Sequence, residues 1–300
     1  MAPERGLIML IRAGIAALLI AAAMPLQAAP DAMVEGVQLP AWLIRDGQRE
    51  PLTAGTELKA RDEIATGSNS RLLLRLGDGS LVKLGENGWL QIAELAQRQA
   101  KNFLSATLKV FAGAFRYTTA PEPAADSEVT VQFTTLIARF NAADIWGKKL
   151  SDHQVLVLID GKVSVARVAE SSASPPLDMK DALTFLQAPR SGAGKIEPVQ
   201  IEQLKIWAAE TEISEGQGAI RRGGLWKLNL AKYANQIQAL SLYDSLRREG
   251  YPALIQQEPR EEGPAYLVRI AGFPSELEAN LLGARLKQIN PRLEPIASLQ

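Results

Sequence analysis

The sequence contains no cysteine and a single histidine, His153. Without cysteine the chain has no thiol nucleophile, no disulfide, no thiolate zinc site and no cysteine that could carry a lipid. With one histidine, most histidine-based catalysis and metal ligation are also excluded. We therefore expect a non-catalytic protein that needs neither a metal ion nor another cofactor.

The chain also lacks a net charge, because 33 Lys and Arg residues balance 33 Asp and Glu residues. A general nucleic-acid binder needs clustered basic residues to displace counterions from phosphates, so we expect no nucleic-acid partner. The length of 300 residues, with 47% hydrophobic and 22% charged residues, is typical of a globular protein. A chain of this length is predicted to form about two domains.

A long apolar run occurs only at the start of the chain. Residues 13–26 are apolar, Arg5 and Arg12 precede them, and Gln27, Ala28 and Ala29 follow. This order of positive, apolar and small residues is typical of a secretory signal peptide, and the run is shorter than the roughly 20 residues of a membrane span. We predict that residues 1–28 are a leader cleaved after Ala28, which places the mature chain in the periplasm. The alternative is an uncleaved anchor, the one case in which we expect contact with a membrane.

Residues 31–168 show a β pattern. Asp-Gly pairs at positions 46–47, 78–79 and 160–161 stand between apolar runs. Such pairs favour tight hairpin turns, because these turns need positive φ angles. Many short strands at near-regular spacing predict an all-β sandwich or roll for this first domain.

Residues 169–222 differ in composition from the β region. They include Ser- and Pro-rich residues 171–176 and Gly-rich residues 191–194. Such composition is typical of a linker. We predict a linker with short helices at about 179–186 and 199–212, although the second helix could instead be the last element of the first domain.

Residues 223–300 contain an internal repeat. Residues 228–233 (Leu-Asn-Leu-Ala-Lys-Tyr) align with residues 268–273 (Val-Arg-Ile-Ala-Gly-Phe) at an offset of 40. Each copy has the pattern of a strand, an amphipathic helix and a second strand, with helix one ending before Gly250 and helix two capped by Ser275. Two such units predict an α+β domain of βαββαβ order, a ferredoxin-like arrangement with both helices on one sheet face. The other face is then open to solvent.

This C-terminal pattern resembles the SPOR (sporulation-related repeat) domain. The resemblance rests on residues 226–230 (Trp-Lys-Leu-Asn-Leu), on Gly-Tyr-Pro-Ala at 250–253, and on Gly-Phe-Pro-Ser at 272–275 with Glu278 and Ala279. It implies binding of septal peptidoglycan, with a preference for glycan strands stripped of stem peptides, and hence a link to cell division. Envelope or divisome proteins are further candidate partners.

The first domain resembles the FecR-type extracytoplasmic β domain. The resemblance is carried by residues 52–68, by Leu-Gly-Asp-Gly-Ser at 76–80, and by residues 158–165. It implies a partner or scaffold module. Some family members relay a signal to a sigma factor, so an envelope signalling component localised by its C-terminal domain is the alternative function.

Four residues form the predicted glycan-binding site. Because alternate side chains of a strand share one face, Lys227 and Asn229 point away from Leu228, and Leu267 and Arg269 point away from Val268. Arginine donates several hydrogen bonds in a fixed fork, and an asparagine amide both donates and accepts, as a sugar requires. The alternative is that these are ordinary solvated residues on the outer face of an antiparallel sheet. The predicted glycan-binding residues are Lys227, Asn229, Leu267 and Arg269.

Overall fold

The computed structural model describes residues 31–98, 103–168, 176–189, 194–261 and 263–300. The predicted leader, residues 1–28, lies outside them. The N-terminal part of the described chain is rich in β-sheet, and the C-terminal part is α+β. Within these residues, none of the helices is both long enough and apolar enough to cross a bilayer.

The strands of the first part of the chain are short and follow one another closely. They are β1 (Ala32–Gln38), β2 (Ala41–Arg45), β3 (Gln48–Pro51), β4 (Glu57–Leu58), β5 (Glu63–Thr66), β6 (Arg71–Leu76), β7 (Leu81–Leu84), β8 (Trp89–Arg98), β9 (Phe103–Ala112), β10 (Ala114–Thr118), β11 (Glu128–Phe133) and β12 (Leu136–Phe140). Then come β13 (Ala143–Lys149), β14 (His153–Gly161), β15 (Val163–Arg167), β16 (Leu177–Met179), β17 (Thr184–Pro189), β18 (Lys195–Pro198), α1 (Ile201–Ala209) and β19 (Ala219–Arg221).

The C-terminal elements alternate between strands and helices. They are β20 (Trp226–Tyr233), α2 (Gln236–Arg248), β21 (Leu254–Glu258), β22 (Ala265–Phe273), α3 (Glu276–Ile289) and β23 (Ile296–Leu299).

Two large sheets pack face to face in the first part of the chain. One has the order β18-β17-β14-β13-β10-β7-β6-β1-β19, with β4 also paired to β1, and the other has the order β16-β15-β12-β11-β9-β8-β5-β2-β3. Aromatic rings join them across the core, since Phe115 lies 5.1 Å from Phe133 and Tyr117 lies 5.1 Å from Phe140. The inward side chains alternate with outward ones along each strand, as expected when one sheet face is buried.

Two of the three predicted Asp-Gly hairpins are confirmed. Asp46 and Gly47 both have positive φ and join the paired strands β2 and β3, and residues 78–79 join the paired strands β6 and β7. The prediction is wrong at residues 160–161, because β14 pairs in the first sheet and β15 in the second. Gly161 has a φ of 91° and lies against the backbone of Ala142, so the turn carries the chain from one sheet to the other.

Residues 169–222 differ from the expected linker with two short helices. The first predicted helix, 179–186, is wrong: the structure has β16 and β17 there, which extend the two sheets. The second is confirmed as α1, whose Trp207 stacks on Trp146 with ring centroids 5.3 Å apart. The apolar side chains that suggested short helices in a linker therefore lie in paired strands and on the outer face of the first sheet. β19 then pairs with β1 at the sheet edge.

The C-terminal strands form a separate antiparallel sheet of order β21-β22-β20-β23. The two copies of the internal repeat place β20 and β22 next to each other at its centre. α2 begins after Asn235, whose side chain accepts the backbone N–H of Ile237, and ends before Gly250 with its φ of 85°. α3 begins after Ser275, as predicted from its capping side chain. Both helices pack against this sheet.

The C-terminal domain is docked on the first domain. The carboxylate of Glu278, which is buried, accepts the backbone N–H groups of Gly216 and Gly218 at 2.6 Å and of Ala219 at 3.0 Å. Arg285 donates to the carbonyl of Leu39 at 3.1 Å. These contacts tie α3 both to the segment that leads into β19 and to the end of β1.

Candidate functional site

The candidate site lies on the face of the C-terminal sheet that the helices leave uncovered. Leu228 and Leu230 of β20 and Val268 and Ile270 of β22 are fully buried. The residues that alternate with them are half-buried, as expected for side chains on the opposite, accessible face. All four predicted site residues, Lys227, Asn229, Leu267 and Arg269, lie on this open face.

The register of the sheet brings the predicted residues together. Asn229 stands directly opposite Arg269, and Lys227 stands opposite Ala271. A register shift between Asn229 and Ala231 then places Lys232 opposite Leu267. A bulge of this kind moves the following side chains to the other face, so Lys232 joins the open face.

Several polar atoms on the open face lack hydrogen-bond partners. Asn229 donates through Nδ2 to Ser298 Oγ at 3.2 Å. Its Oδ1, the Nε of Arg269 and the Oε1 of Gln256 have no partner among the described residues. Polar atoms in native proteins are normally paired, and exceptions call for an explanation such as a bound group. Each of these three atoms is itself shielded from solvent, so a ligand can pair with it only after the side chain rotates.

An ion pair lies at one end of the open face. Lys232 Nζ donates to Glu258 Oε2. This hydrogen bond lowers the pKa of Glu258 below its ordinary value, and the positive charges of Lys232, Arg260 and Lys227 add to the effect. Glu258 is therefore ionised at neutral pH and neutralises part of the positive charge of the face.

The sequence prediction missed the residues contributed by the outer strands. Leu254 and Gln256 of β21 stand opposite Arg269 and Leu267, and Ser298 of β23 stands opposite Lys227. The alternation of side chains along β21 could have indicated Leu254 and Gln256, once β22 was known to be the neighbouring strand. The position of Lys232 depends on the bulge, which the sequence does not signal.

The first domain does not contact the predicted site residues through any described hydrogen bond or ion pair. Its described contacts with the C-terminal domain involve α3, the C-terminal end of α2 and the end of β22 near Gly272. These regions lie away from Lys227, Asn229, Leu267 and Arg269. The open face is thus accessible in the docked arrangement.

His153 and Asp152 form a local pair at the start of β14. His153 Nδ1 lies 2.7 Å from Asp152 Oδ1. This hydrogen bond is the main reason that the pKa of Asp152 is lowered. The described residues contain no group of three or more side chains suited to hold a metal ion.

Comparison with known proteins identifies two domains. The family model of the SPOR domain matches residues 223–292, and that of the FecR protein family matches residues 62–164. The first match contains the open face, and the second covers strands of both large sheets. SPOR domains bind peptidoglycan, which supports a cell-wall partner. No curated protein matches the chain.

Solved structures show only a remote likeness. Two crystal structures of a candidate anti-sigma factor from Parabacteroides distasonis each give a TM-score of 0.40. One is 11% identical and covers 76% of this chain and 91% of its own, and the other is 10% identical and covers 67% and 96%. At this level the likeness carries no argument about fold or function. From the two family matches, the chain contains a FecR domain followed by a SPOR domain, both of which are envelope-associated domain types.

Proposed function

We propose that this protein is a non-catalytic periplasmic protein that binds peptidoglycan glycan strands through the open face of its SPOR domain. The FecR domain serves as a partner or scaffold module that is held next to the cell wall. The predicted leader exports the chain, and the site of action is the division septum. The single observation that carries the proposal is the pairing of Asn229 with Arg269 on the accessible face of a SPOR domain.

The chemistry of the open face suits a bare glycan strand. Sugars present hydroxyl and N-acetyl groups that need both donors and acceptors, and flat apolar faces that pack on aliphatic side chains. Arg269 and Lys227 supply donors, and the side-chain oxygen of Asn229, which is shielded from solvent, supplies an acceptor once the amide rotates toward the sugar. Leu267 and the exposed Leu254 supply apolar surface beside them. The βαββαβ order and the strand order β21-β22-β20-β23 support the ferredoxin-like arrangement that creates this face.

An envelope signalling role is the second candidate function, and the FecR domain favours it. In that case the SPOR domain localises the protein, and the FecR domain senses or relays an envelope signal. Both functions share the same wall-binding step, so that step is the one to test first.

The test is co-sedimentation of the purified protein with peptidoglycan sacculi. We expect the protein to pellet, and more of it to pellet with sacculi whose stem peptides an amidase has removed. The double variant Asn229→Ala with Arg269→Ala should weaken pelleting at least tenfold, because it removes one amide and one guanidinium from the face.

A matched control removes the same types of group from the helix side. Asn280→Ala with Lys287→Ala changes one amide and one cation, both exposed on α3. This control should pellet as the wild type does. Unchanged pelleting of the open-face variant would refute the site, and failure of the wild-type protein to pellet would refute the function.

A further inference from the structure

A groove lies between the two domains, on the helix side of the SPOR domain. It has a volume of about 660 Å³ and runs between β3, the edge strand of the second large sheet, and α2. Ligand sites in proteins commonly have volumes of about 300–1,000 Å³ and often lie at domain interfaces. We propose that this groove binds a short acidic peptide segment of a partner protein. This goes beyond glycan binding, which uses the opposite face of the C-terminal sheet.

The two walls of the groove are fixed relative to each other. The indole Nε1 of Trp42 donates to the carbonyl of Arg248 at 3.3 Å, and the backbone N–H of Ala41 donates to the carbonyl of Gly250 at 3.3 Å. Gly250 lies so close to Trp42 that an added Cβ would stand 2.6 Å from the indole ring. The groove is therefore preformed, which reduces the cost of ordering a ligand in it.

One end of the groove is positively charged. Arg49 of β3 and Arg247 and Arg248 of α2 line it, whereas Asp244 is the one acidic residue in its lining. Aromatic rings hold two of the guanidinium groups: Arg49 lies 4.1 Å from the ring centroid of Trp42, and Arg247 lies 5.3 Å from that of Tyr243. A guanidinium group held in a fixed orientation can bind a carboxylate with two parallel hydrogen bonds.

Arg247 has one further partner across the domain interface. Its Nη2 lies 4.0 Å from a carboxylate oxygen of Glu50, whose side chain is 56% exposed. A contact at this distance, with the Glu50 carboxylate largely in solvent, is weak. Three arginines against Asp244 and the weakly paired Glu50 leave this end of the groove with a net positive charge, which a ligand with carboxylates would complement.

The other end of the groove is apolar. Ile237 is 75% exposed and Leu240 is 40% exposed, and both line the groove. They lie on the same face of α2 as Asp244 and Arg247, since residues three or four apart share a helix face. From Ile237 to Arg248 the helix rises about 16 Å, at roughly 1.5 Å for each residue.

This length and polarity define the ligand. An extended peptide of about five residues spans the same distance at roughly 3.3 Å for each residue. A segment with apolar residues at one end and two carboxylates at the other matches both ends of the groove. Since the glycan face is on the opposite side of the sheet, one molecule of this protein can hold a glycan strand and a protein partner at the same time.

The test uses the full protein and a fluorescein-labelled peptide, Leu-Ile-Ala-Glu-Glu, with both termini blocked. Fluorescence anisotropy should show saturable binding that weakens as salt rises, because exposed charges are screened. The variant Arg49→Ala with Arg248→Ala should bind at least tenfold more weakly. A control variant, Arg260→Ala with Arg292→Ala, removes two exposed arginines outside the groove lining and should bind as the wild type does.

Three results would overturn the inference. The first is equal binding of the peptide Leu-Ile-Ala-Lys-Lys, and the second is unchanged affinity in the Arg49 and Arg248 variant. The third is loss of pelleting with sacculi in that variant, which would make the groove part of the wall-binding surface. Normal pelleting with lost peptide binding supports the inference and is independent of whether the open-face site is correct.

Discussion

Replacing Glu278 with glutamine tests how the SPOR domain is held on the FecR domain. Glu278→Gln keeps the size of the side chain but leaves one oxygen where there were two. In the wild-type protein, one carboxylate oxygen accepts the N–H of Gly216, and the other accepts the N–H groups of Gly218 and Ala219. If the amide oxygen of the glutamine takes the place of the oxygen that accepts from Gly218 and Ala219, the N–H of Gly216 faces the NH₂ group and loses its acceptor.

The expected cost follows from these three bonds. Hydrogen bonds to a charged group contribute roughly 1.5–3 kcal/mol, neutral ones about half as much, and an orphaned donor costs about 1–3 kcal/mol. Relief from burying a charge offsets part of the loss. We therefore expect the free energy of unfolding to fall by about 2–3 kcal/mol, within the range those bond values allow. In a chain of this size, that lowers Tm by roughly 3–5 °C.

The assay is thermal unfolding followed by circular dichroism, together with limited proteolysis of residues 213–224. Glu276→Gln is the matched control, because Glu276 is exposed in the same first turn of α3 and interacts with the same helix dipole. The control should change Tm by less than about 2 °C, as exposed substitutions usually do. Equal effects of the two substitutions would refute the claim that Glu278 holds the two domains together.

Three further outcomes are expected. Trp207→Ala should lower the free energy of unfolding in urea by about 2–3 kcal/mol, because the indole stacks on a buried tryptophan; no change would show that α1 contributes nothing. Gly161→Ala should lower Tm more than Gly47→Ala, since both have positive φ but only Gly161 would bring a Cβ against backbone, at 2.5 Å. The Glu258 carboxyl, followed by NMR, should titrate below its ordinary range and return to that range in Lys232→Met, because the pair favours the ionised form; an identical titration in both proteins would contradict the pairing.

The sequence placed the four predicted glycan-binding residues on one sheet face correctly because the signals for that placement are local. Alternation along a strand assigns Lys227 and Asn229 to the face opposite Leu228, and the 40-residue repeat assigns Arg269 in the same way. The turn at residues 46–47 was predicted for a similar reason, because Asp-Gly tolerates the positive φ angles that a tight hairpin needs. These preferences act over a few residues and hardly depend on the rest of the chain.

The errors share a different cause. Residues 160–161 have the same turn chemistry as residues 46–47, yet they connect two different sheets. Residues 179–186 have enough apolar side chains for a helix, yet β17 pairs with β14 because that strand offers an unpaired edge. Which strand becomes the neighbour depends on how distant segments bury their apolar faces, and local preference does not encode this.

The residues that join the two domains also combine a local feature, which the sequence predicts, with a contact that only the folded chain forms. Ser275 and Glu278 predict the start of a helix, and in the structure the Ser275 hydroxyl caps α3 by accepting the backbone N–H of Glu278. The carboxylate of Glu278, however, binds backbone groups about 60 residues earlier in the chain, next to β19. Local chemistry thus defined the elements and the polarity of their faces, from sequence alone. The pairing of the sheets, the bulge that turns Lys232 to the open face and the docking of the two domains arise only in the folded chain, since each depends on contacts between segments far apart in sequence.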